Sequence, residues 1–229
     1  MKIAIVALCM LALVAASQAA PVTKPEADLC PICLQLMNEA LDQLVNIILN
    51  VGVVGSCGDV CGKLPAKLEQ VACDLVCDYV GITEFVKILQ EVDPDAVYIC
   101  QVLGGICPIH DNAKVDDVKL IVAPSSGQQG STFSMHFSFN VVNATGAGEV
   151  ALGIQPPNGE GFGDGQLVPG FPVGPIAISF RLQAKPSEQE PFSPGTYQVE
   201  AAVCNGECGA THPHTATLGT ASASFVITQ

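Results

Sequence analysis

CGDVCGKLPAKLEQVACDLVC, running from Cys57 to Cys77, is the stretch on which the fold turns. Cys57 and Cys61 stand four residues apart, as do Cys73 and Cys77, so on helices each pair shares one face a turn apart. Pro65 suits the first turn of a helix, where its missing amide is no loss, and Lys63 to Pro65 can turn the chain back. The flanking helices then run antiparallel, Cys61 faces Cys73, and one turn further from the bend Cys57 faces Cys77. Two rungs of a disulfide ladder result. A free or metal-binding Cys57 and Cys77 is the competing reading.

Upstream, Met1 and Lys2 lead into the apolar run Ile3 to Ala16 and the small residues to Ala19, the layout of a secretory signal over 1–19. The run is too short for a membrane span, and no later stretch reaches about 18 apolar residues without polar interruption. Removing the signal discards Cys9 and leaves ten of the eleven cysteines, an even number on an oxidising route, so a disulfide framework is expected. The protein is expected to be secreted and extracellular, with a lysosome-like vacuole as the alternative.

Leu36, Met37, Leu41, Leu44, Ile47 and Ile48 recur at three and four from Leu29 onward, which marks an amphipathic first helix. A weaker helix crosses Val53 to Leu64. Leu68, Val71, Ala72, Leu75 and Val76 define a third that ends at Gly81. Thr83 opens a fourth and Asp93-Pro94 a fifth, which carries Val97 and Cys100. The pair Cys30 and Cys33 is placed to meet the pair Cys100 and Cys107, tying the first helix to the last.

The order CPIC (Cys30 to Cys33), Cys61, LPAKLEQVAC (Leu64 to Cys73), Asp93-Pro94-Asp95-Ala96-Val97, Cys100 and LGGIC (Leu103 to Cys107) resembles the saposin B-type family, which includes the saposins, NK-lysin and amoebapores. The likeness covers about 80 residues and places a saposin B-type domain at 26–110. It implies nested pairing of Cys30 with Cys107, Cys33 with Cys100, and Cys61 with Cys73. It also implies lipid interaction through apolar helix faces. The uncharged stretch Gln43 to Gly58 supplies Leu44, Ile47, Ile48, Val51, Val53 and Val54 as lipid-binding candidates; an ordinary buried helix junction reads the same way.

Past a linker at 111–117 the pattern changes to short alternating runs at Lys119 to Ala123, Thr132 to Val142, Gly148 to Gln155, Ile176 to Leu182, Thr196 to Cys204 and Ala221 to Thr228. Gly, Pro, Ser and Asn clusters separate them. Phe133, Met135, Phe137 and Phe139 alternate strictly, so they should face one core. The expected fold is therefore multidomain: an all-α, five-helix, disulfide-stapled saposin-like domain followed by an all-β, immunoglobulin-like antiparallel sandwich at 117–229. Cys204, Cys208, His212 and His214 invite a metal reading, but Asn205-Gly206 makes a tight turn between two strands and the flanking cysteines should join across it. Asn143-Ala144-Thr145 fits an N-glycosylation site.

Charge narrows the function. Four lysines face thirteen acids between Pro21 and Asn112, and the formal net charge of the whole chain is −13. Nucleic acid is disfavoured, because phosphate binding needs clustered Lys and Arg. No nucleophile with a base, no metal motif and no phosphate loop is present in the sequence, so neither catalysis nor a cofactor is expected. The reading is a secreted, non-enzymatic lipid-binding or membrane-interacting protein with a β-sandwich accessory module. An amoebapore-like membrane-permeabilising effector and a countin-like extracellular signalling factor are the alternatives. The expected partners are a lipid or membrane surface, a protein bound through the sandwich, and a second copy in a homodimer.

Overall fold

The structure, a computed structural model, describes residues 29–51, 55–91, 95–102, 105–187 and 191–228. The signal at 1–19 lies outside them. Among the described residues five helices come first: α1 (Leu29–Val51), α2 (Cys57–Cys61), α3 (Lys67–Val80), α4 (Ile82–Glu91) and α5 (Ala96–Val102). The Ser56 hydroxyl caps α2 by accepting from the Asp59 amide at 3.3 Å, a standard use of serine at this position. Gly81, with φ 88°, closes α3 in a conformation that few other residues adopt.

Every third or fourth residue of α1 is buried, from Cys33 through Met37, Ala40 and Leu44 to Ile48, and the helix packs on α3 and α5. Among the described residues α1 is long and apolar enough, by length and composition, to cross a membrane, which the search for an uninterrupted apolar run did not foresee. Its apolar stripe is occupied by the core.

Eight strands follow among the described residues: β1 (Lys114–Ala123), β2 (Ser126–Gln128), β3 (Thr132–Asn143), β4 (Gly148–Gln155), β5 (Phe162–Val168), β6 (Gly174–Gln183), β7 (Gly195–Asn205) and β8 (Ala216–Thr228). They form a three-stranded sheet in the order β1-β3-β6 and a five-stranded sheet in the order β2-β8-β7-β4-β5. Phe133, Met135, Phe137 and Phe139 of β3 are buried in one core with Tyr197 of β7 and Phe225 of β8. Alternation on β3 places them there, since successive side chains point to opposite faces.

The expected architecture does not hold. The molecule is mostly β, two sheets that curl as a half-barrel with a few mostly short helices, rather than an all-α five-helix domain followed by a separate all-antiparallel sandwich. Two observations overturn it. A cis Ala123–Pro124 peptide separates β1 from β2, and β2 then pairs parallel with β8 in the other sheet. The helices also do not close a core of their own: buried Ala147 belongs to their apolar cluster, and Leu167 of β5 packs against it. Helices this short leave apolar surface over, and the strand segments cover it.

Asn205-Gly206 likewise makes no two-residue hairpin. β7 and β8 are antiparallel neighbours joined by the loop 206–215. Asn205 is buried, and it accepts from the Gly146 amide at 3.1 Å while donating to the His110 carbonyl at 2.8 Å. Its amide side chain thereby ties His110 to the β3–β4 connection at Gly146. Gly206 has φ 68°, and a Cβ there would run into the Thr215 side chain.

Candidate functional site

Cross-links shape the helical half. The structure joins Cys30 to Cys107, Cys33 to Cys100, Cys57 to Cys77, and Cys61 to Cys73, and in the sheet half Cys204 to Cys208. These are the five pairs named from the sequence. The two bonds from α1 reach Cys100 in α5 and Cys107 beyond it, tying the first helix to the last, and the two between α2 and α3 stop those helices from splaying. Cysteines of this kind are inert staples.

A cavity of about 540 Å3 opens between α1, α4 and α5. Leu41, Val45, Ile48 and Leu49 of α1, Leu89 of α4 and Ile99 of α5 form its walls, and Asp42, Asn46 and Gln90 stand at its rim. The size is that of a small-molecule site. Of the residues singled out as lipid-binding, Ile48 reaches this cavity, whereas Leu44 is wholly buried in the helical core and Ile47 packs partly against it. Leu44 and Ile48 are therefore core residues of α1, as its three-four spacing requires. The side chains of Val51, Val53 and Val54 lie outside the described residues. Leu49, 69 % exposed, belongs to the same uncharged stretch and also walls the cavity; it lies one residue off the buried stripe.

A second apolar feature lies on α3, where Leu68, Val71 and Leu75 are exposed along one stripe beside Ile32 and Leu36 of α1. From the sequence these residues define the helix itself. In the structure α3 turns its cysteines and Val76 inward, and the helix is too narrow to bury both sides.

The cysteine-histidine segment divides between two tasks. Its cysteines join, while the His212 ring stacks on Tyr98 with centroids 4.5 Å apart and His214 Nδ1 lies 2.7 Å from the Asp111 carboxylate. Among the described residues no group of three or more His, Cys, Asp or Glu side chains is arranged to hold a metal ion. Asn143 is exposed at the end of β3 and donates to the Asn112 carbonyl at 2.8 Å. Thr145, the other end of the glycosylation motif, is buried and its hydroxyl accepts from the Phe171 amide at 2.7 Å.

Both halves have counterparts among known proteins. The family described as the Countin N-terminal domain matches residues 28–104, and the Countin C-terminal domain matches 113–229. The chain belongs to the countin family. Countin-1 of Dictyostelium discoideum is 41 % identical over 201 residues, covering 87 % of this chain and 78 % of that protein. Countin-3 of the same organism is 37 % identical over 198 residues, covering 86 % and 89 %. Both countin regions are therefore present in one chain, in the same order as the helices and the sheets.

Solved structures are similar only distantly. An alkylpurine DNA glycosylase of Pseudomonas fluorescens aligns with TM-score 0.42 and 12 % identity over 76 % of this chain and 52 % of its own. The C-terminal domain of wzt aligns with TM-score 0.39 and 13 % identity over 53 % and 77 %.

Proposed function

We propose that this protein is a countin-like extracellular signalling factor that works by binding a cell-surface partner and catalyses no reaction. Similarity to the countins along 86 % to 87 % of the chain carries this reading, because it spans the helices and the sheets together rather than one module alone. Five disulfides suit an oxidising, extracellular setting, and the acidic chain, at −13, is repelled by anionic membrane surfaces at neutral pH. A protein receptor fits those facts better than bulk lipid does.

The test is binding of the labelled, disulfide-intact full chain to intact Dictyostelium discoideum cells. Saturable binding that unlabelled protein displaces, and that mild protease treatment of the cells removes, is the expected result. Binding that survives protease treatment and is reproduced on protein-free vesicles of phosphatidylcholine and phosphatidylserine would return the protein to the lipid-binding class.

A further inference from the structure

The loop between β7 and β8 does more than reverse the chain. The carboxylate of Glu207 reaches across to α5 and accepts from the Ala96 amide at 2.7 Å. Five residues on, His212 lies flat against Tyr98 of the same helix, with 6° between the ring planes. Its Nε2 is 3.9 Å from Oδ2 of Asp95. Asp95 uses its other oxygen, Oδ1, to accept from the Tyr98 amide at 2.7 Å, whereas Oδ2 is buried without a hydrogen bond.

The loop is braced on its own side as well. Cys204 and Cys208 are joined, the Cys208 amide donates to the Glu149 carboxylate of β4 at 2.7 Å, and His214 pairs with Asp111 of the linker. We propose that the loop 206–215 is a clasp that locks the helices onto the sheets, and that it holds more firmly as the surroundings acidify.

Electrostatics give the direction. Glu207, Asp95 and Glu149 are drawn together in a partly buried junction. Glu39 and Asp42 of α1 line a cavity of about 440 Å3 beside Glu207, and no Lys or Arg lines it. The other titratable groups around the loop are His214 with Asp111, His212, and His110, whose Nδ1 lies 3.2 Å from the Ala144 carbonyl. Burial, and next the Asp95 charge, raise the Glu207 carboxyl above its usual 4.5, with Glu149 adding to the rise and the Ala96 and Val97 amides opposing it.

A carboxyl raised in the closed state stabilises that state fully below the ordinary value of 4.5, and the contribution is lost as pH rises through the raised value. Protonation of Glu207 also relieves its repulsion with Asp95 and Glu149.

The experiment is amide hydrogen exchange on the full chain, corrected for intrinsic rates, read at Ala96 and Tyr98 at pH 7.5 and pH 5.0. Protection should be higher at pH 5.0 than at pH 7.5, in the direction the raised Glu207 carboxyl sets. His212→Phe keeps a flat ring on Tyr98 and removes the imidazole. Glu207→Gln keeps an acceptor for the Ala96 amide and removes the charge, so it should raise protection at pH 7.5. Glu207→Gln should lose most of the response to pH, whereas His212→Phe should keep it. Protection in the unsubstituted protein that is flat or falls towards pH 5.0, or a Glu207→Gln variant that keeps the full response, would overturn the proposal.

Discussion

Residues 29–107 and residues 113–228 hold themselves together by different means. The helical half has four disulfides and, in its buried cluster, a single aromatic, Phe85. The sheet half has one disulfide, between residues four apart, and a core in which Phe133 and Tyr197 each pack against Phe225 while Phe137 packs against Phe139. The difference follows from geometry. Two facing sheets bring many large side chains together, each ring burying a large apolar area, whereas short helices with open cavities bury less and rely on cross-links that limit the unfolded chain.

Breaking that contrast should begin with reduction. Each helical disulfide is worth about 2 to 4 kcal/mol, so four together are comparable with the roughly 5 to 15 kcal/mol that keeps a typical domain folded. Reduced and alkylated protein should lose amide protection throughout α1, α3 and α5 while β3, β7 and β8 stay protected. Loss of protection in both halves at once would mean that the helices and sheets fold as one unit.

Next in size is a blow to the other half. Phe137 is fully buried between the sheets, and Phe137→Ala removes a ring that the core cannot replace, at a cost of about 3 to 5 kcal/mol. Urea denaturation followed by exchange should show β3 and β7 opening earlier, with the disulfide-held helices keeping most of their protection. An equal loss in α1 would again join the two halves.

How much of this was legible in the chain depended on the kind of signal. Cysteine spacing was legible because a helical turn fixes which thiols share a face, and Cys57, Cys61, Cys73 and Cys77 pair as that geometry suggests. The inward face of β3 was legible from strict alternation. β5 was not, since Phe162-Gly-Asp-Gly reads as a turn and takes strand form only because β4 offers it a full register of partners. Nor was the parallel pairing of β2 with β8, which joins segments about a hundred residues apart. The cavity wall was half legible: amphipathic spacing marks Ile48 as apolar and inward, but which inward residues meet empty space depends on where α4 and α5 stop. The contact of Glu207 with Ala96 had no local signal at all, because nothing in a loop says which helix end its carboxylate will reach.

The smallest expected effect separates two disulfides by loop length alone. Cys57 and Cys77 are 20 residues apart and Cys204 and Cys208 are 4 apart. If cross-links act mainly by limiting the unfolded chain, the first bond contributes roughly 3 kcal/mol and the second roughly 2 kcal/mol. Cys57→Ala with Cys77→Ala should lower the urea midpoint of the helical half and leave its fold intact, since three bridges still staple it. Cys204→Ala with Cys208→Ala should cost less in global stability. Its effect should instead appear locally, as faster exchange at Ala96 and Tyr98, because the short bond braces the loop that carries Glu207 and His212 to α5. Equal midpoints for the two double variants, with no change at those amides, would show that the short disulfide acts as a fold staple like the others and not as a brace for the junction.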